Sequence, residues 1–152
     1  MYQTLLEGHS FVRWLVLVSL LYSIFIAYKG YSQKLLFTKK DNLLRHWTAT
    51  IAHIQLLFGI LVYVQSPIVK YFWRNYKEAV QNLDASFFGI IHITLMLIAI
   101  IFITIGSALA KRKLSDKEKF KTMLIWFSIA LIIIFIAIPW PFSPLANRPY
   151  FR

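Results

Sequence analysis

The sequence predicts an all-α integral membrane protein, a four-helix bundle packed up-down-up-down. Three observations carry that prediction. Of the 152 residues, 59% are hydrophobic and only 15% charged, against about 45–50% and about 25% in a soluble domain. The apolar residues gather into four runs, each close to the ~20 residues that cross ~30 Å of hydrocarbon. Short connections join the runs, which favours antiparallel neighbours. A soluble fold is excluded by the first observation, because seventeen Lys/Arg and six Asp/Glu cannot cover so small a domain. The length fits one domain over 1–152.

The first span covers about 11–28, FVRWLVLVSLLYSIFIAY. No basic residues precede it and no small-x-small cleavage site comes after it, so it reads as a helix and not a signal peptide. The second span, about 43–64, is closed by Pro67. The third, about 86–109, has Asp84 as its candidate cap. The fourth, about 120–138, carries Lys121 one residue in, so its apolar core starts at Met123. Asp116 falls at its cap or first turn, and Pro139, Pro141 and Pro144 end it. Its β-branched run at 131–138 must be helical in lipid, where an open sheet edge leaves backbone groups unpaired. The connection 65–85 interleaves apolar, aromatic and basic residues and predicts a helix lying in the interface.

Charge sets the orientation. Four spans put both termini on one side, side A. That side carries Arg13, Lys70, Arg74, Lys77, Arg148 and Arg152 against Glu7, Glu78 and Asp84, a net of +3. Side B carries Lys29, Lys34, Lys39, Lys40, Arg45 and the six basic residues between Lys111 and Lys121, against Asp41, Asp116 and Glu118, a net of +8. By the positive-inside rule side B is cytoplasmic and both termini face outward. The overall +11 is thus mostly a topology signal, and no basic-aromatic platform is available for nucleic acid. Trp14, Trp73 and Trp140 near side A, with Trp47 and Trp126 near side B, form an aromatic belt at each interface.

The chain has no cysteine, which removes disulfides, thiolate metal sites, Fe–S clusters and c-type haem attachment. The glycine-rich, phosphate-loop, HExxH and GxSxG signatures are absent from the sequence. No Asp or Glu lies deep in a span to complete a triad or a proton relay. No residue is therefore assigned a catalytic role, and enzymatic activity is left open.

What remains is a small polar set. His53 lies near the middle of the second span, His92 two turns into the third, and His9 at the side A mouth of the first. His46, between Arg45 and Trp47, reads as interfacial. Ionisable residues inside a bilayer serve pathways, ligands or pairing. The plainer reading of each histidine is a helix–helix hydrogen bond to Ser, Thr or a carbonyl. The ligand reading has two geometries. Two imidazoles from facing helices bind one haem iron, or Glu7, His9 and His92, with Asp84 nearby, hold a zinc, iron or copper ion. At ~1.5 Å rise per residue the depth gap is about 9 Å for His53–His92 and about 7 Å for His92–His9. Arg13 shares a helix face with His9. It opposes a bare cation and suits a haem propionate, whose carboxylate its donor fork matches.

EGHSFVRW, RHWTATIAHIQLLFGILVY, the His92 helix and the tail IPWPFSPLANRPYF resemble a family of small four-span bacterial membrane proteins labelled cytochrome B. More loosely, the chain is similar to four-helix b-type cytochromes of the copper-resistance and cytochrome b561-like groups. The resemblance covers nearly the whole chain. It implies haem b, electron transfer, exchange with a quinone and a redox protein partner, and a place in the bacterial inner membrane. His9, His53 and His92 are the matching histidines and Arg13 the matching arginine. Only three histidines lie on usable parts of the spans, so one haem is the most the chain holds by bis-histidine ligation without recruiting His46. On this reading His92 is a ligand with His53 or His9 opposite, Arg13 holds a propionate, and Tyr63 and Trp14 line the pocket. The alternatives are a haem-free metal site using Glu7, His9, His53 or His92, and an accessory subunit of a homo- or hetero-oligomer.

Overall fold

The computed structural model describes residues 1–150; Phe151 of the closing segment and Arg152 of the side A charge set lie outside the described residues. In chain order the helices are α1 (Tyr2–Ser32), α2 (Lys39–Gln65), α3 (Pro67–Arg74), α4 (Tyr76–Ala79), α5 (Leu83–Ser86), a π-helical turn (Phe87–Ile91), α6 (His92–Arg112) and α7 (Asp116–Ala137). Four helical runs are long and apolar enough to cross a membrane: α1, α2, the continuous run Leu83–Arg112, and α7.

Every expected span is present, and each helix starts before its apolar run. The first turns are polar and need caps more than apolar side chains. Thr38 and Asp41 form a capping box on α2: the Asp41 N–H donates to Thr38 Oγ1 at 3.4 Å and the Thr38 N–H to Asp41 Oδ2 at 2.7 Å. Ser115 caps α7, accepting from the Glu118 N–H at 3.3 Å. Asp116 is the first residue of α7 and pairs with Lys119 at 3.4 Å. The cap of the third run is Asn82, which accepts from the Ala85 N–H at 3.0 Å. Asp84 is not that cap; its carboxylate is taken by Arg148 at 2.5 Å.

The interfacial segment is helical as expected. Pro67 opens α3, where its missing N–H costs nothing. Val69 and Phe72 are buried toward the bundle, while Tyr71 and Trp73 face out.

In the bundle, α1 packs on α2 and α7, and α6 packs on the same two helices. Leu20, Ile103, Met123 and Phe127 are fully buried at its centre. The outer surface is apolar too, with Val18, Phe25, Leu57 and Ile132 all well exposed. An apolar outside around an apolar inside is what lipid as solvent allows. Lipid supplies little hydrophobic drive between helices, so close packing matters more. Gly106 lets the Trp126 side chain rest on the α6 backbone, and Gly30 does the same for Phe120 on α1. A Cβ at either glycine would overlap the aromatic side chain.

Gly106→Val is expected to part α6 from α7 and destabilise the fold by about 1–3 kcal/mol, the usual cost of overpacking. Thermal or denaturant unfolding in detergent micelles measures it.

Candidate functional site

The site begins with two prolines. In a continuing helix the carbonyls of Phe135 and Ala137 would accept from residues 139 and 141. Both are proline and have no N–H. Side chains take their place. The Trp140 indole N–H donates to Phe135 O at 2.8 Å. His92 Nδ1 lies 2.7 Å from Ala137 O, and because a carbonyl only accepts, the Nδ1 proton makes that bond. The tautomer of His92 is thereby set, and Nε2 is left as its lone-pair nitrogen.

His9 approaches from α1. Its ring centre is 6.4 Å from that of His92, with the planes at 74°. Gln55 of α2 holds the α1 backbone, donating from Nε2 to His9 O at 3.0 Å, with a longer 3.4 Å approach to His9 Nε2. Gly59 makes room for the imidazole: a Cβ there would come within 3.3 Å of His9 Cε1.

His92 is aimed by the π turn that precedes it. A π turn carries one extra residue, which rotates the downstream helix by about 100° relative to a plain α-helix. The turn is held from outside. The Tyr63 hydroxyl donates to Gly89 O at 2.7 Å and accepts from the Trp73 indole N–H at 2.9 Å. The Phe72 ring lies on Gly89, where a Cβ would collide with it. The interfacial helix α3 thus docks on the backbone that positions His92.

These elements enclose a cavity of about 390 Å³, within the ~300–1,000 Å³ range of ligand pockets. Apolar side chains such as Met96, Ile100 and Ile103 make most of its wall, and His9, His92, Gln55, Arg13 and Arg148 supply polar groups. The C-terminal segment folds over its side A end. Arg13 donates through Nη2 to Tyr150 O. Arg148 bonds Asp84 and lies over the Phe88 ring, 4.8 Å from its centroid. His9 Nδ1, Arg13 Nε and Gln55 Oε1 are buried with no hydrogen-bond partner among the described residues. Each such atom costs about 1–3 kcal/mol unless something meets it.

The structure thus joins His9, His92, Arg13 and Tyr63 in one cavity wall. Tyr63 serves there through its hydroxyl bond to the π turn. His53 is not in the wall: it bonds Thr104 Oγ1 at 2.9 Å on the exposed surface, the helix–helix pairing that is the plainer reading of a membrane histidine. Trp14 is not in the wall either. One residue on from Arg13, it turns to Trp140 and Tyr150, with ring centres 6.0 and 6.4 Å away. Glu7 bonds Gln3 Nε2 at 3.3 Å on the outer surface, away from the histidines. Among the described residues no three His, Asp or Glu side chains come together as a metal site. Ala52 and Gly59 of α2 line the cavity, and Gly89 of the π turn receives Phe72. Gln55 and Arg148 are the members that sequence reasoning missed. Gln55 lies two residues after His53 in α2, and Arg148 lies beyond the last helix with no periodicity to place it.

Comparison with known proteins finds no matching family model, curated protein or solved structure. The chain stands as a small all-α integral membrane protein with four long apolar helices.

Tyr63→Phe removes the donor to Gly89 O and the acceptor for Trp73. A loss of about 1 kcal/mol is expected, speeding amide exchange through the π turn about fivefold. Hydrogen exchange at residues 87–91, compared with mid-α7, measures it.

Proposed function

We propose that the cavity binds one b-type haem between His9 and His92, and that the protein passes electrons between a membrane donor such as a quinol and an acceptor on the outward side. The observation that carries this reading is the histidine pair. The ring centres of His9 and His92 lie 6.4 Å apart in the wall of one cavity, so both imidazoles would be able to hold the same haem. The donor set fits as well. His92 already has its second nitrogen on a backbone carbonyl, the orientation expected of a ligating imidazole. His9 retains a buried Nδ1 with no hydrogen-bond partner among the described residues. When bound, the haem supplies the one-electron chemistry.

The chain's own residues do the rest. Ala137 O orients His92, and Gln55 and Gly59 seat His9. Arg13, with Nε uncommitted, binds a ligand carboxylate. Arg148, paired with Asp84, also lines the cavity. Met96, Ile100 and Ile103 keep water from the cavity. The four spans run up-down-up-down in a bacterial inner membrane, with both termini on the outward side; the excess of lysine and arginine at the opposite end supports that orientation.

After haem-replete expression the purified protein is expected to show a Soret band. His9→Ala and His92→Ala should each lose it, while His53→Ala should keep it at wild-type intensity. No band, or one that survives both ligand substitutions, overturns the proposal.

A further inference from the structure

A second cavity, of about 210 Å³, opens where the α1–α2 and α6–α7 connections meet. Phe37, Thr38, Lys39, Asn42, Lys111 and Lys119 line it. Lys39 is the first residue of α2, Lys111 lies at the end of α6, and Lys119 in the first turn of α7. The three lysines thus come from three helices, each at the end of an apolar span. That is the depth of the headgroup region of a bilayer.

Like charges gathered from separate helices repel one another unless an anion offsets them. The carboxylates at hand do so only in part. Asp116 lies 3.4 Å from Lys119. Asp41 is occupied by the capping box, accepting from the Thr38 N–H and hydroxyl at 2.7 and 2.6 Å. Lys39 and Lys111 have no carboxylate or hydrogen-bond partner among the described residues.

The uncharged groups of the lining are donors too. Asn42 Oδ1 accepts from Nε and Nη2 of Arg45, at 3.1 and 2.9 Å. The amide N–H groups are what Asn42 has left to offer. The backbone N–H groups of Lys39 and Lys40, the first two of α2, have no intrahelical acceptor, and they bring the positive end of a 27-residue helix to the cavity. The base is firm. Phe37 packs edge-on against Phe120 with ring centres 4.9 Å apart, and Phe120 rests on Gly30. Lys119 Nζ lies over Phe37, 5.4 Å from its ring centre.

We propose that this cavity binds the phosphate of an anionic phospholipid headgroup. Its three ammonium groups and the Asn42 amide match the oxygens of a phosphate, as basic pockets between membrane helices do. The surface below favours a lipid over a soluble phosphate. Lys39, Leu43 and Trp47 follow one another at spacings of four on one face of α2. Leu43 and Trp47 are 56% and 53% exposed, an apolar track from the cavity into the span that suits an acyl chain. A choline headgroup would bring its own cation against the lysines. No residue is shared with the histidine cavity, and the site does not rest on the haem reading.

Native mass spectrometry of the full chain, released from an uncharged detergent, tests this. Dioleoyl phosphatidylglycerol, dioleoyl phosphatidylcholine and inorganic phosphate are added in turn. One phosphatidylglycerol is expected per 17.9 kDa chain, retained several-fold more than phosphatidylcholine. Lys39→Gln and Lys111→Gln should each weaken retention about fivefold, the worth of one lysine beside anionic lipid. The pair Lys34→Gln and Lys121→Gln removes the same charge outside the cavity lining and should bind as the wild type does. Circular dichroism verifies that each variant keeps its helices, and either single variant carries the test if the Lys39→Gln, Lys111→Gln double variant does not fold. Full retention in a folded Lys39→Gln or Lys111→Gln variant, equal retention of the two lipids, or displacement of phosphatidylglycerol by inorganic phosphate overturns the proposal.

Discussion

The bond from His92 to the Ala137 carbonyl holds the site together, and it exists because of proline. Inside hydrocarbon a backbone carbonyl with no donor costs several kcal/mol. Pro139 and Pro141 leave two such carbonyls at the end of α7. The Trp140 indole satisfies one and the His92 imidazole the other. The end of α7 is thereby tied to the start of α6. The same bond selects the tautomer of His92 and orients its ring. The prolines also stop the helix, which sends the C-terminal segment across the cavity and brings Arg148 to Asp84. One backbone requirement thus sets a helix end, a histidine and a cover.

The same rule explains the other interhelical bonds. Ser23 meets Thr48 at 2.7 Å between α1 and α2. Arg45, buried near the N-terminal end of α2, bonds Asn42 and reaches both Ser107 O, at 2.9 Å, and Ser107 Oγ on α6. Each such bond in a membrane averages about 0.6 kcal/mol and reaches about 1.7. A misplaced methyl group in the core costs as much or more. Packing of Trp126 on Gly106 and Phe120 on Gly30 therefore dominates helix association, and the polar bonds choose the register.

The four spans were legible because hydropathy is summed over some twenty residues and tolerates local error. The helix ends were less so. Asp84 and Asn82 are both good caps by composition, and only the folded tail, by drawing Asp84 to Arg148, separates them. The histidine pair was legible in type but not in partner. Depth arithmetic puts His9 about 7 Å from His92 and His53 about 9 Å from it, too close to choose between. The choice rests on rotation around α6, and the π turn at 87–91 sets that rotation. Nothing in FFGII announces an extra residue in the turn. Its holding contacts, Tyr63 and Phe72, come from segments far away in sequence.

Charge decides what kind of ligand suits the cavity. Arg148 is paired with Asp84, while Arg13 bonds the Tyr150 carbonyl, lies over the Trp14 ring and has no carboxylate partner among the described residues. A like charge placed on the histidines would be repelled by the guanidinium. A bare divalent cation on the histidines would meet that repulsion with no carboxylate to offset it, since Glu7 faces away. A ligand that brings its own acid groups turns the same interaction favourable and meets the uncommitted Arg13 Nε. On the proposed reading, the ligand suited to this cavity is anionic, largely apolar and able to engage two imidazoles. The proposed haem, with its iron and propionate arms, would meet those terms.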